Sequence, residues 1–135
     1  VEEGMKLLKN SIEIKTQKCS NYVDKLKAII LIQIKVIVKY ENIITIVLSQ
    51  IWGDEPRNKK CKGYVFDYIQ TIEKIVQEGI EKGEIMQGDP EIMASGVFGL
   101  TCSSLIYKLK TKQEIEISKL YREFEKSILE GLRAK

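Results

Sequence analysis

The segment that decides the fold is residues 75–85, IVQEGIEKGEI, followed after two residues by 88–94, GDPEIMA. Gly83 suits the left-handed backbone that often ends a helix. Asp89 is a preferred N-cap residue, and Pro90 is favoured at the first helical position after it. The sequence therefore predicts that one helix ends near Gly83 and that the next begins at Pro90.

Upstream of this segment, apolar residues recur at the spacing of one helix face, which predicts a long helix over about residues 57–82. That face comprises Cys61, Val65, Tyr68, Ile72, Ile75, Val76 and Gly79. Downstream, the helix that begins at Pro90 is predicted to continue to about Lys110.

The amino-terminal part also carries helix signals. Residues 1–18 repeat apolar side chains every three or four positions, and Ser20 or Asn21 can cap a helix over 22–40. This second helix is apolar nearly all round, which is typical of a buried, central helix. A third helix is predicted to begin at residue 42 and to end at Trp52-Gly53.

Two β-strands are the alternative for part of this region. The runs 28–38 and 43–48 are rich in β-branched residues, and the four residues between 38 and 43 could form a turn. Neither run alternates cleanly between apolar and polar residues, and the turn contains no Gly. Helix is therefore the preferred prediction.

The carboxyl-terminal part predicts a last helix. Residues 111–114, TKQE, have the form of a capping box, so the helix is expected to begin there. Six helices with short connections predict an all-α antiparallel helical bundle, formed by one domain over residues 1–135. The apolar face of the last helix comprises Ile117, Leu120, Tyr121, Phe124, Ile128 and Leu132.

The composition narrows the possible functions. The chain has 135 residues, with 22 Lys and Arg against 19 Asp and Glu, and it contains no His. Without His there can be no His-based catalytic triad or imidazole metal site. Cys19, Cys61 and Cys102 are odd in number and widely spaced. We expect their side chains to be buried in the protein, and the protein to lie in a reducing compartment. We predict no enzyme activity, no cofactor and no metal site.

The sequence also predicts a cytoplasmic protein without a membrane partner. Its most apolar run, residues 28–38, is interrupted by Lys35 and is shorter than the ~20 residues that span a bilayer. Glu2, Glu3 and Lys6 interrupt any signal-peptide core at the amino end. Because the chain begins with Val rather than Met, we expect a fragment or a processed chain.

Residues 75–94 and the helix that follows resemble the C-terminal regulatory domain of TetR-family transcriptional regulators. In that family a long helix ends in a Glu-Gly-x-x-x-Gly pattern, matched here up to Gly83. A short loop then leads to Asp-Pro and a helix with small residues, and the last helix often closes in Gly-Leu, as at 131–132. The match covers 72–132, whereas 1–71 agree only in the order and length of helices.

The resemblance implies the effector-binding and dimerisation domain of a two-part regulator, expected to be a repressor. Residues 1–18 would be the helix that connects to a helix-turn-helix headpiece, which this chain is expected to lack. Residues 89–132 would form the dimerisation helices. The implied partners are a second copy of the chain and a small-molecule effector, with operator DNA contacted only through the missing headpiece.

Small residues in the helix after Asp89 would let another helix approach closely, and two helices from each copy would form an isologous four-helix interface. The alternative is that these residues only admit a neighbouring helix of the same chain. The predicted interface residues are Ser95, Gly99, Ser103, Ile106, Ile117, Leu120, Tyr121, Phe124 and Ile128.

A hydrophobic or aromatic effector needs a pocket with apolar walls and a few polar groups. Gln33, a polar residue among Ile and Leu, is either buried with partners or exposed at one turn of its helix. A helical protein-interaction or structural bundle, with a filled core and no ligand, is the alternative function. The candidate ligand-binding residues are Gln33, Ile37, Trp52, Tyr64, Tyr68, Met93, Phe98, Thr101 and Cys102.

Overall fold

The computed structural model describes residues 2–42, 59–111 and 114–132, and these form an all-helical bundle. The helices are α1 Glu2–Gln17, α2 Tyr22–Lys39, α3 Lys59–Glu81, α4 Pro90–Lys110 and α5 Ile117–Phe124, after which come a π-helical turn Glu125–Leu129 and the short α6 Glu130–Leu132. The prediction of an all-α fold is confirmed. The predicted third helix, over residues 42–53, lies outside the described residues except for its first position.

The helix boundaries in the described part follow the local signals of the sequence. Asn21 caps α2, because its Oδ1 accepts a hydrogen bond of 2.8 Å from the backbone N–H of Asp24. Asp89 caps α4 in the same way, with Oδ1 accepting from the N–H of Glu91 at 2.9 Å. Pro90 occupies the first helical position of α4. These three predictions are confirmed.

The end of α3 is also as predicted. Gly83 has φ +74°, the left-handed conformation that favours glycine. The N–H of Glu84 donates to the carbonyl of Gly79 at 2.9 Å, and the N–H of Gly83 donates to that of Ile80 at 3.0 Å. This pair of bonds is the Schellman motif, which satisfies carbonyls that the helix itself leaves open.

The predicted start of the last helix is wrong. Helix α5 begins at Ile117, and Glu114–Glu116 are not helical. The hydroxyl of Thr111 donates to the carbonyls of Tyr107 at 2.9 Å and Lys108 at 3.1 Å, at the end of α4. Ser and Thr often bond back to a carbonyl three or four residues earlier, and here Thr111 is the C-cap of α4 and not the first residue of α5.

Helix α2 is the central helix of the bundle, since it contacts α1, α3, α4, α5 and the π-helical turn. Neighbours on several sides explain why its sequence is apolar nearly all round. The strand alternative is therefore excluded for residues 28–38, whereas 43–48 lie outside the described residues. Lys35 is exposed. The fully buried residues of α2 include Leu26, Ile29, Ile30, Gln33, Ile34 and Ile37.

Helix α4 is the most unusual in composition. Over the described ranges, one helix, α4, is long and apolar enough to cross a membrane, with a mean hydropathy of 1.4 and 39% of that stretch buried in the protein. Length and composition alone are weak grounds for a membrane span, because a core helix of a soluble protein passes the same test. Helix α4 owes its apolar character to two faces, one buried and one exposed.

Candidate functional site

Three polar side chains meet in the core, one from each of α2, α3 and α4. Gln33, Tyr68 and Thr101 are each 0% exposed. The hydroxyl of Tyr68 donates to Oε1 of Gln33 at 2.7 Å. Nε2 of Gln33 donates to Oγ1 of Thr101 and to the carbonyl oxygen of Val97, both at 3.3 Å. We call this cluster the Gln33–Tyr68–Thr101 network.

The network is closed by a bond within α4. The hydroxyl of Thr101 donates to the carbonyl of Val97 at 2.8 Å while its oxygen accepts from Gln33. Among the described residues, no buried side-chain nitrogen or oxygen lacks a hydrogen-bond partner. The sequence left open whether Gln33 is buried or exposed, and the structure shows that it is buried and bonded on both sides of its amide.

The surroundings of the network are apolar and uncharged. The rings of Tyr68 and Phe98 meet edge to face, with centroids 5.4 Å apart. Burial raises the pKa of the Tyr68 hydroxyl well above its ordinary value, with a further contribution from Cys102. Burial also raises the pKa of the Cys102 thiol to about 12. Both groups therefore stay protonated at neutral pH, and the thiol is not a nucleophile there.

Six of the nine candidate ligand residues share this core. Tyr64 and Met93 are partly buried and pack against it. Trp52 lies outside the described residues. The six are Gln33, Ile37, Tyr68, Phe98, Thr101 and Cys102. Contact of these residues with a ligand stays a prediction. Sequence reasoning missed Val97, which contributes through its backbone carbonyl, a group that side-chain patterns do not reveal.

The cysteine prediction is correct for one of the two described residues. Cys102 is 1% exposed, as expected. Cys19 is only partly buried, and its thiol donates to the carbonyl of Lys15 at 3.4 Å. It follows the last turn of α1 in the loop before α2, where packing is less complete than in a helix interior. Cys61 lies in a part of α3 whose side chains are not described.

The outward side of α4 is apolar but exposed. Its residues repeat every three or four positions and carry no charge. Among the described residues, a Cβ atom added at Gly96 or Gly99 would meet no heavy atom within 4 Å, so the packing of this part of the chain does not require glycine at either position. We call this surface the α4 face, and it comprises Ile92, Ser95, Gly96, Gly99, Leu100, Ser103 and Tyr107.

A groove with a volume of about 460 Å³ adjoins the α4 face, between α4 and α5. Leu100 and Ser104 line it from α4, and Lys119 and Glu123 line it from α5. Its apolar floor is formed by Leu120 and Phe124, which are only 9% and 6% exposed.

The predicted interface residues thus divide into two groups. Ser95, Gly99 and Ser103 on α4 are exposed. Most of the others contribute chiefly to the core of their own chain, because the apolar side of α5 and the following turn packs against α2. Leu120, Phe124 and Ile128 are buried, and Ile106, Ile117 and Tyr121 are partly buried. The interface itself stays a prediction.

The fold matches solved structures of transcriptional regulators over nearly the whole chain. A candidate fatty acid metabolism regulator from Clostridium perfringens has a TM-score of 0.87 and 26% identity, covering 99% of this chain and 73% of that one. The fatty acid degradation regulator FadR from Bacillus halodurans has a TM-score of 0.82 and 17% identity, covering 98% and 70%. The regulator AibR, solved with isovaleryl coenzyme A and operator DNA, has a TM-score of 0.74 and 16% identity, covering 91% and 67%.

The chain is therefore an all-helical domain of the kind that forms the body of these regulators. A further match, from Thermobifida fusca, is a regulator of the TetR/AcrR family. The fold that the resemblance to TetR-family C-terminal regulatory domains implies is confirmed. No protein-family model matches the sequence. No curated protein matches it either.

Proposed function

We propose that this chain is the effector-binding and dimerisation domain of a TetR-like transcriptional repressor, and that it relays ligand occupancy to a helix-turn-helix DNA-binding domain. The fold similarity supports the regulator class. The effector, the dimer and the relay are each supported by different features of the described residues.

The proposed effector carries an aliphatic acyl chain, either free or as a coenzyme A thioester. The observation that carries this proposal is the Gln33–Tyr68–Thr101 network, a small polar cluster enclosed by apolar side chains of three helices. Small-molecule sites combine apolar walls with a few polar groups that fix the ligand's orientation. Two of the similar structures are linked by name to fatty acid metabolism, and a third contains an acyl coenzyme A.

A thermal-shift screen tests the effector class. Fatty acids and acyl coenzyme A compounds should raise the unfolding temperature of the chain, because a ligand that binds only the folded state stabilises it. Steroids and hydrophobic cations serve as comparison compounds of other chemistry. A higher unfolding temperature with one of these classes, and no change with acyl compounds, would show that the effector belongs to that class instead. No shift with any class would favour the protein-interaction bundle.

The proposed dimer forms through the α4 face of each copy. Glycine inside a helix destabilises it by roughly 1 kcal/mol relative to alanine. Gly96 and Gly99 carry this cost although, in the part of the chain that the structure describes, no heavy atom lies within 4 Å of a Cβ atom built at either position. A second α4 packed closely against the first would use the space that these glycines leave and would cover Ile92, Leu100 and Tyr107, which are 70%, 44% and 68% exposed.

Substitution of Gly99 tests the dimer. Gly99→Arg should convert the chain from dimer to monomer in sedimentation equilibrium, because the arginine side chain occupies the space of the partner helix. Gly63→Arg is the matched control, since Gly63 is also an exposed helical glycine, and no heavy atom of residues 5–42, 63–111 or 114–131 lies within 4 Å of a Cβ atom built there. A wild-type chain that stays monomeric at high concentration would contradict the proposal, as would a Gly99→Arg dimer of wild-type affinity.

The proposed relay runs through α1. Met5, Leu8 and Ile12 bury one face of α1, which contacts α2 and α3. Nζ of Lys9 adds an ion pair with Asp67 of α3 at 2.7 Å. A ligand that shifts α3 would therefore move α1, and two headpieces would no longer match major grooves ~34 Å apart. Saturating effector should then weaken operator binding by a chain that includes the headpiece, and unchanged affinity would contradict the relay.

A further inference from the structure

The Gln33–Tyr68–Thr101 network is not explained by the stability of the fold. All three side chains are fully buried, on three different helices, within a core that is otherwise largely aliphatic and aromatic. A buried hydrogen bond contributes only modestly to stability, and replacing both partners with apolar groups of similar shape can be neutral or stabilising. A cluster of this kind therefore calls for a role beyond packing.

The geometry of the network suits recognition of a carbonyl group. The hydroxyl of Tyr68 already donates to a carbonyl oxygen, Oε1 of the Gln33 amide, at 2.7 Å in apolar surroundings. The carbonyl oxygens of an ester, a thioester and a protonated acid are acceptors of the same kind. A ligand carbonyl oxygen can therefore replace Oε1 as the acceptor, and the tyrosine hydroxyl still donates to a carbonyl oxygen.

Gln33 is the member of the network that can yield its position. Its two bonds from Nε2, to Val97 and to Thr101, are both 3.3 Å long, beyond the usual 2.7–3.2 Å range for N–H···O bonds. Thr101 also has a bond of 2.8 Å to the carbonyl of Val97 that does not involve Gln33. Rotation of the Gln33 side chain breaks these two long bonds and the short one from Tyr68, and the ligand carbonyl restores the short one.

We propose that Tyr68 is the residue that recognises the ligand's acyl carbonyl, and that the ligand replaces Gln33 as the acceptor of its hydroxyl proton. This inference rests on the proposed acyl-binding function and names the group that gives it specificity. Phe98 packs edge to face against the ring of Tyr68 and holds that ring in place. The site then distinguishes an acyl chain from an alkyl chain of equal length.

Two pairs of probes that differ only in the carbonyl group test this proposal. The first pair is decanoyl coenzyme A and its thioether analogue, S-decyl coenzyme A. The second pair is methyl decanoate and decyl methyl ether, which shows whether the coenzyme A part is needed. The wild-type chain should bind the carbonyl compound of a pair about tenfold more tightly than its partner, as expected for one hydrogen bond in a buried site.

The Tyr68→Phe variant should bind both members of a pair with affinities within about twofold, because it keeps the ring but lacks the donor. Tyr22→Phe is the matched control: it also removes a hydrogen-bonded hydroxyl, donated to Glu78 at 3.0 Å, but at the end of α2 that is remote from the network. This control should keep the wild-type preference.

The outcomes separate this inference from the proposed function. Loss of the preference in Tyr68→Phe alone supports the inference. Acyl binding with an unchanged preference in a folded Tyr68→Phe variant would overturn the inference and leave the acyl-binding function in place. A wild-type chain that binds neither member of either pair would overturn both.

Discussion

The hydroxyl of Tyr68 donates a hydrogen bond of 2.7 Å to Oε1 of Gln33, which joins α3 to α2 in the middle of the core. Both residues are 0% exposed. An unpaired polar group in such surroundings destabilises the folded state, so each of the two side chains needs the other as its hydrogen-bond partner. The same bond is the one that an acyl ligand is proposed to exchange.

This dependence predicts non-additive effects on stability. Gln33→Leu should lower the free energy of unfolding by about 1–3 kcal/mol, because the Tyr68 hydroxyl loses its acceptor. Adding Tyr68→Phe should cost less than it does alone, since the orphaned hydroxyl is then gone. Urea unfolding of the two single variants and the double variant measures the coupling. Gln77→Leu, at an exposed position of α3, is the control and should change stability by less than about 0.5 kcal/mol. Strictly additive changes would contradict the coupling.

Alanine substitution should have opposite effects on stability at two glycines, Gly83 in the turn after α3 and Gly63 within α3. Gly83→Ala should destabilise the chain by about 1–2 kcal/mol, because φ is +74° and an L side chain is strained there. Gly63→Ala should stabilise it by up to about 1 kcal/mol, because Gly63 lies in a helix. At either position a Cβ atom meets no heavy atom of the described residues within 4 Å, so backbone conformation is the difference between them. Urea unfolding of both variants checks the signs, and equal effects would refute this account of the turn.

The buried thiol of Cys102 predicts a loss of stability at alkaline pH. Burial raises its pKa from 9.0 to about 12, so between these values the folded chain keeps a proton that the unfolded chain releases. The contribution is fully present below pH 9.0 and falls by at most about 1.4 kcal/mol for each pH unit above it.

Urea unfolding at several pH values measures this slope. Cys102→Ala should reduce the slope between pH 9 and 10 relative to the wild type. Tyr68, whose pKa is also raised by burial, should add its own loss above pH 10 in every variant that keeps it. A Cys102→Ala slope equal to that of the wild type would show that this thiol does not contribute.

The sequence predicts well what depends on neighbouring residues. The caps at Asn21 and Asp89 and the left-handed Gly83 are local, and all three are confirmed. The capping box at Thr111 fails for a reason that is equally local, because the same hydroxyl can bond backward into α4. The sequence of residues 111–114 alone does not show whether Thr111 begins the last helix or ends α4.

What the sequence leaves open depends on contacts between distant residues. Gln33 is polar in an apolar run, but its partners lie 35 positions away at Tyr68 and 68 positions away at Thr101. The sequence shows small residues on several faces of α4, and only the packed structure shows that Gly96 and Gly99 face outward. The apolar pattern of α5 likewise does not reveal whether it faces its own chain or a partner.

Titration with acyl coenzyme A compounds of increasing chain length tests the central claim most directly. Calorimetry of the 135-residue chain with butanoyl, hexanoyl, decanoyl and hexadecanoyl coenzyme A gives affinity and stoichiometry in one series. Saturable binding of one ligand per chain is expected. Affinity should also rise with chain length, by up to about 0.8 kcal/mol for each methylene that becomes buried. Absence of saturable binding for every chain length, or affinity that does not depend on length, would contradict the central claim.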